Sequence, residues 1–520
     1  MRPSVLAYMT CAVGVSLLAA CPDRSISKVS PVQTGTATKN IPVSADIDIL
    51  FVIDNSLSTA DKQALFATNF PAFVNILDTK FGQGRPNLHI GVVSTTVGTG
   101  SSVNLGSSCP ETAPGDDGKF HNAMVGASSG GTVGTTSCSS CTITGSFITD
   151  IASGGSRQTN YNCPGGSGTD PNNLTAALPC MAEIGTSGCG FEAQLEAMKR
   201  ALDGSQSSNA GFIRNGAYLG VIILTDEDDC SIKDPSIFSL NNVGGLSDFR
   251  CQPMYAYKCD TAITPATGTT NYTNCTPVSG ASSQYLQDTS YYYNFLTTVK
   301  DPSEIVVAVI GGTDSMGNMP NPAGFNISTG SVQIPGQPTA QDPALSPSCM
   351  TTINGNMAIA RPGLRLADFV SQFGTRGKYY SVCQSDYSTA LADIGTELFN
   401  AISPCLEGAI DTTDEDPNNP GLQPQCTVSY IQNFGSTGQT EQQIPVCQMQ
   451  TGANTSITPP CNNGPCPKMG AMEPCWYVST DNVTCADPTA FPTHLTLNVV
   501  STSAPPPGTV TSVSCAVSSM

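Results

Sequence analysis

The sequence predicts an α/β protein. A doubly wound, mostly parallel sheet is interrupted by large disulfide-rich insertions and followed by a small disulfide-rich β domain. Three observations carry this expectation. Four short apolar runs rich in β-branched residues, Ile47–Ile53, Leu88–Thr96, Leu219–Thr225 and Ile305–Gly312, have the length of strands buried on both faces. Helical patterns stand between and after these runs, the order that builds parallel βαβ units. The chain also holds 22 Cys, many of them in long Gly-, Ser- and Thr-rich stretches that separate the runs.

The chain has 520 residues, with 21 Lys plus Arg against 40 Asp plus Glu, a net charge of -19. Such a balance argues against nucleic acid and against an electrostatic hold on anionic lipid. Charged residues make up only 12%, while Gly (50) and Pro (38) are abundant, so long loops and an exported protein are expected. The first residues agree. Arg2 precedes an apolar stretch, Val5 to Ala20, too short for a membrane span and suited to a signal peptide. It ends in Leu18-Ala-Ala-Cys21, which resembles a bacterial lipobox with Cys21 as the lipidated residue. Residues 1–21 are thus expected to be a lipoprotein signal and 22–44 a flexible tether. The mature protein would sit in the bacterial cell envelope, periplasmic or surface-exposed, held to the membrane through its N-terminal lipid.

The main domain is expected over 45–404. Its first buried run stops at Asp54-Asn-Ser-Leu-Ser58, and 58–81 reads as one helix. Insertions follow at about 97–187, 230–290 and 313–361. The segment Gly190–Leu202 has helical spacing, with Phe191, Leu195, Met198 and Leu202 on one face. Leu219–Thr225 runs into Asp226-Glu-Asp-Asp229, and the extra acids Glu227, Asp228, Asp229 and Asp234 suit either a second Ca²⁺ site or, the favoured reading, a solvated acidic loop. A short helix at 366–373, an edge strand at 378–382 and an amphipathic helix at 386–402 close the domain. Residues 405–425 form an acidic linker, and 426–520 alternate in short strands as a Cys-rich β domain.

Taking out Cys11 with the signal and Cys21 for the lipid leaves 20 Cys, an even number that suits a disulfide framework in an oxidising compartment. Cys138-Ser-Ser-Cys141 has the spacing of a zinc knuckle, but the chain's three His fall in no ligand pattern. Seven Cys lie between Cys426 and Cys515, an odd count, so one bridge is expected to tie the tail to the main domain.

An acid and two hydroxyls at the end of a buried strand, just before a helix, place hard oxygen ligands at the carboxyl edge of a sheet. Asp54-Asn-Ser-Leu-Ser58, with Thr225-Asp226 ending a later strand, resembles a von Willebrand factor type A domain. The resemblance implies a metal-ion-dependent adhesion site with Asp54, Ser56, Ser58 and Asp226 as ligands of Mg²⁺ or Ca²⁺. The family's remaining ligand is a Thr. Here its loop reads Gly185-Thr-Ser-Gly-Cys-Gly-Phe-Glu192, where Thr186 or Ser187 stands in, or Glu192 supplies a carboxylate instead. Such an ion accepts an acidic side chain of a protein ligand as its last partner. The function implied is adhesion or protein binding. The alternative is a structural envelope protein with no working metal site.

Enzyme chemistry finds less support. A phosphoaspartate enzyme of the haloacid dehalogenase type needs a second carboxylate two residues after the first, and that position is Ser56. A Ser hydrolase also needs a His, and the chain's three His have no matching acid context; no G-K-[ST] phosphate loop is present.

Overall fold

The computed structural model describes residues 33–42, 46–80, 85–99, 116–133, 135–153, 156–168, 170–239, 251–266, 268–333, 341–353, 355–434, 438–454, 461, 464–468, 473–501, 505–506 and 509–518. The signal segment and Cys21 lie outside the described residues.

The main elements in chain order are β1 (Gln33–Pro42), β2 (Asp46–Ile53), α1 (Ala60–Asn69), α2 (Pro71–Thr79), β3 (Asn87–Ser94), β4 (Ile148–Ser153) and β5 (Ser156–Thr159). There follow α3 (Leu174–Ala182), α4 (Gln194–Leu202), β6 (Tyr218–Leu224), α5 (Thr289–Val299), β7 (Ile305–Gly311), α6 (Leu364–Ser371), β8 (Gly377–Ser381) and α7 (Ser388–Ile402). The tail adds β9 (Cys426–Gln432), β10 (Thr440–Ile444) and β11 (Thr509–Ser518).

The largest sheet has seven strands in the order β8-β7-β6-β2-β3-β4-β5. Pairs from β8 across to β3 are parallel, and β4 and β5 add antiparallel. The period-two rule sorts β2 between two cores. Ile47, Ile49, Phe51 and Ile53 pack with α1, α2 and α7, whereas Leu50 and Val52 face α4, α5 and α6. Phe51 is fully buried among Phe66, Phe70 and Phe73, with ring centroids 5.7–6.1 Å away in edge-on geometry.

The chain as a whole is not the doubly wound parallel α/β protein that the sequence predicts. Strands hold 34% of it and helices 25%, and many of those strands lie in several small antiparallel sheets. Among the described residues, seven of the eight sheets are antiparallel throughout. The apolar runs that suggested a parallel sheet account for one sheet only. The insertions and the tail contribute most of the strands, and short segments joined by tight turns pair antiparallel. They are also not separate loops. Thr270–Pro277, from the second insertion, pairs with Phe325–Gln333 from the third. The β4–β5 hairpin, from the first, covers the edge of β3, whose backbone groups would otherwise lie open.

Three further expectations need correction. The helix expected over 58–81 is broken, because Pro71 lacks the N–H that would continue α1 and instead opens α2. The tether expected over 22–44 is a strand over its described part: β1 pairs antiparallel with β11 from Gln33↔Ser518 to Pro42↔Val510. Within β1, Lys39 is buried and its ammonium donates to the Asn400 and Cys405 carbonyls at the end of α7 (2.7 and 2.9 Å). The acidic linker over 405–425 is packed as well: Ile410 is in the tail's core and Asp411 N–H donates to Ala516 O (2.9 Å).

Nine disulfides lie among the described residues, including Cys138–Cys180 and Cys141–Cys163, which take up the knuckle-spaced pair. Cys405–Cys485 ties the end of α7 to the tail, the bridge that parity asked for. Among the described residues no helix is long and apolar enough to cross a membrane.

Candidate functional site

Three strand ends meet at the carboxyl edge of the central sheet. Asp54 N–H donates to Leu224 O (2.9 Å), Thr95 N–H to Ile53 O (3.2 Å) and Thr225 N–H to Ile310 O (3.1 Å). These last rungs of the parallel ladder fix Asp54, Thr95 and Thr225 along one rim. Beyond Asp54 the chain makes a tight turn, Leu57–Thr59, and enters α1.

The Asp54 carboxylate is fully buried. Its Oδ1 accepts the Ser56 N–H (2.8 Å) and its Oδ2 the Thr225 hydroxyl (2.6 Å). Burial first, then the nearby Asp226 charge, push its pKa up to about 6 against those hydrogen bonds. Ser56 Oγ lies 3.3 Å from Ser58 Oγ, and Ser58 donates to Asp226 Oδ1 at 3.1 Å. The structure therefore brings Asp54, Ser56, Ser58 and Asp226 together, as the motif implies.

A cation already stands on this cluster. The Lys62 ammonium is 2.9 Å from Asp226 Oδ2 and 3.2 Å from Asp61 Oδ1, and it donates to Ser58 O at 2.8 Å. Burial pulls its pKa down, but the Asp226 and Asp61 charges outweigh burial and hold it above its ordinary value. Lys62 was not singled out in the sequence, although its spacing four residues after Ser58 on a helix start would have placed it beside the motif. Gln194 was missed too. Its amide donates to Thr225 Oγ1 (2.9 Å), which itself donates to Asp54, so the start of α4 holds the rim in place.

The loop that was to supply the last ligand lies against the motif. Gly188 N–H donates to Asn55 O (2.8 Å), and Gln63 brackets Gly185 through both its amide atoms (2.8 and 3.2 Å). A Cβ at Gly188 would lie 2.1 Å from Asn55 Oδ1, so this approach needs glycine. Thr186 is half-buried and Ser187 exposed in the same loop. Among the described residues, neither hydroxyl bonds to the four-oxygen cluster. Glu192 is buried, its backbone carbonyl accepts Cys230 N–H (2.7 Å), and its carboxylate acts on the Arg361 guanidinium together with Asp226.

Glu227, Asp228 and Asp229 are not the solvated loop expected of them: each is held by protein groups. Glu227 pairs with Arg361. Asp228, fully buried, accepts the Arg365 and Leu366 N–H groups at the start of α6 (2.8 and 3.0 Å) and the Tyr257 hydroxyl (2.7 Å). Asp229 accepts Leu195 N–H at the start of α4 (3.0 Å) and pairs with the buried Arg365 (2.9 Å). Both carboxylates serve helix N-termini, where a negative charge and orphan N–H donors suit each other.

Among the described residues no three His, Cys, Asp or Glu side chains converge on one point. What converges is two carboxylates and two hydroxyls. Neighbouring ligands around an octahedral hard cation at 2.0–2.1 Å lie roughly 3 Å apart, so the 3.1 and 3.3 Å spacings fit such an ion.

No protein-family model matches the chain, and no curated protein matches it in sequence. Solved structures align to it weakly. The pilus adhesin SpaC from Lactobacillus rhamnosus GG aligns over 93% of this chain and 41% of its own, at 11% identity and a TM-score of 0.29. The human COPII-coat protein Sec24c aligns over 96% and 44%, at 8% identity and 0.27. The adhesive tip pilin GBS104 from Group B Streptococcus agalactiae aligns over 93% and 80%, at 11% identity and 0.23. The chain thus spans less than half the length of SpaC and of Sec24c.

Proposed function

We propose that this chain is an adhesion-type binding protein of the bacterial cell envelope rather than an enzyme. In this reading it engages a protein ligand at the carboxyl edge of its central sheet through a divalent-cation site. The observation that carries the proposal is the grouping of Asp54, Ser56, Ser58 and Asp226 at that edge: the Ser56, Ser58 and Asp226 oxygens lie 3.1–3.3 Å apart, and Asp54 accepts the Ser56 N–H beside them. Mg²⁺ or Ca²⁺ held by these residues would supply a coordination position for an acidic side chain of the partner, a binding role suited to a site with few charged ligands. Leu57, between the two serines, is 84% exposed and offers the partner an apolar contact beside the ion. The disulfides support an oxidising compartment outside the cytoplasm. Anchoring through Cys21 belongs to the same proposal, and the mass of the mature N-terminus tests it.

Calorimetry with Mg²⁺ and with Ca²⁺ tests the site. The expected result is a saturable heat that Asp54→Ala and Ser56→Ala both abolish while their melting curves stay close to wild type. Unchanged heats in both variants would sink the assignment. A second reading, a structural envelope protein in which Lys62 permanently takes the ion's place, has the 2.9 Å contact to Asp226 in its favour. It expects no heat from any variant.

A further inference from the structure

We propose that Lys62 is a gate for the candidate ion site: its ammonium neutralises Asp226, and it moves onto Asp61 to admit a divalent cation. This rests on the ion-site reading above and adds a control to it.

Three features lead here. The first is position. Asp226 offers one oxygen to the Ser58 hydroxyl at 3.1 Å and the other to Lys62 at 2.9 Å, so the ammonium and the candidate ligands share one carboxylate. Two cations cannot share a buried carboxylate without strong mutual repulsion, since little solvent screens them. The Lys62 side chain is 4% exposed and that of Asp226 2%, so the pair is shielded from water. The second is need. With no counter-charge the cluster would hold two buried carboxylates, Asp54 and Asp226, with only neutral donors between them. The Lys62 ammonium makes that pair of buried acids tolerable to the fold. The third is an exit. Asp61, next in the chain, is already 3.2 Å from the ammonium, and its side chain is 22% exposed. Lysine's four-carbon stem lets its ammonium move from the inner acid to the outer one without unwinding α1. The Ser58 carbonyl, which also takes Lys62 at 2.8 Å, is released in the same movement.

Arginine could not do this as readily, because its planar fork holds two contacts at once. A permanent neutraliser would also need no second acid within reach. The pair of acids, one buried and one near the surface, distinguishes a gate from a substitute for the ion.

The test uses the full chain and the metal alone. Lys62→Met and wild type are titrated with Mg²⁺ and Mn²⁺ by calorimetry. In parallel, wild-type Lys62 is footprinted with an amine-reactive ester and read by mass spectrometry, with and without saturating Mg²⁺. The expected result is at least tenfold tighter metal binding in Lys62→Met and a several-fold rise in Lys62 labelling when metal is added to wild type. Equal affinities with unchanged labelling overturn the gate and leave the ion site standing. No binding by either protein overturns both. Footprinting needs no substitution, so it decides the question even if Lys62→Met folds poorly. Should that variant fold, a melting temperature that falls without metal and recovers with it is a further expected sign.

Discussion

Replacing Glu304 by Gln should remove a loss of stability that the wild-type chain suffers as the pH rises toward neutrality. Glu304 ends a short turn, Pro302–Glu304, just before β7. It is 4% exposed, and its Oε1 has no hydrogen-bond partner. The residue lines a hollow of about 120 Å³ with Asn215, Lys300 and Asp301. Burial pushes its carboxyl pKa up from 4.5 to about 7; Lys300 opposes this and Asp301 adds to it. The folded state therefore holds the proton more tightly than the unfolded chain does. The resulting stability is fully present below pH 4.5 and is lost as pH climbs through 7. At about 1.36 kcal/mol per pH unit, that gap is worth roughly 3 kcal/mol. Glutamine keeps the shape and never ionises. Urea denaturation midpoints measured from pH 4 to pH 8 should thus fall more steeply for wild type than for Glu304→Gln. The two curves should diverge by roughly 3 kcal/mol across that range. A constant offset from the new amide is immaterial, because the slope is the observable. Parallel curves would show that the carboxylate is already matched in the folded state, and the account of Glu304 as an unsatisfied buried acid would be wrong.

Two other substitutions probe the frame around the site. Arg365→Met should cost about 3–5 kcal/mol in a thermal or urea melt, because it leaves the buried Asp229 without its guanidinium; adding Asp229→Leu should recover part of the loss, and no recovery would mean that the ion pair is not the cause. Gly312→Ala should destabilise by about 1–3 kcal/mol or more, since its Cβ would lie 1.7 Å from the Arg361 carbonyl oxygen, a contact only backbone movement relieves. Arg361 N–H is bonded to Asp226 O (2.9 Å), so weaker Mg²⁺ binding by calorimetry should accompany the lower melting temperature.

The local parts of the structure were the legible ones. Each of the four apolar runs forms a strand of the central sheet within a residue or two of its expected limits, because continuous β-branched burial leaves the backbone little else to do. The grouping of Asp54, Ser56, Ser58 and Asp226 was legible for the same reason: each stands at or just beyond a strand end, and parallel register brings those ends together. The overall class was not legible. Gly-, Ser- and Thr-rich segments carry no strong period, yet they supply most of the antiparallel pairs, and their partners lie far away in the chain. Gln33–Pro42 looked like a tether since its partner strand is at the other end of the sequence, Thr509–Ser518. Long-range pairing of polar strands leaves no mark that a window of ten residues can show.

The acids at the sheet edge show why sequence alone could not rank them. Asp54, Asp226, Glu227, Asp228 and Asp229 are one residue type or nearly so, and what separates them is who neutralises each. Asp226 has Lys62, Glu227 has Arg361 and Asp229 has Arg365. Asp228 has no ion pair among the described residues, but it sits on the N–H groups that open α6 and takes a phenol hydroxyl, so a helix end answers its charge. Asp54 differs from all four. Among the described residues it makes no ion pair and caps no helix, and its carboxylate bonds are to a serine N–H and a threonine hydroxyl. A buried carboxylate with only neutral donors is the costliest to keep ionised, and its raised pKa is the mark of that cost. Among the described residues every other acid of the run has a cationic side chain or a helix N-terminus beside it. At Asp54 a cation arriving from solution would meet a charge that nothing in the described protein has yet balanced, one residue beyond a strand and within a chain of hydroxyls leading to Asp226.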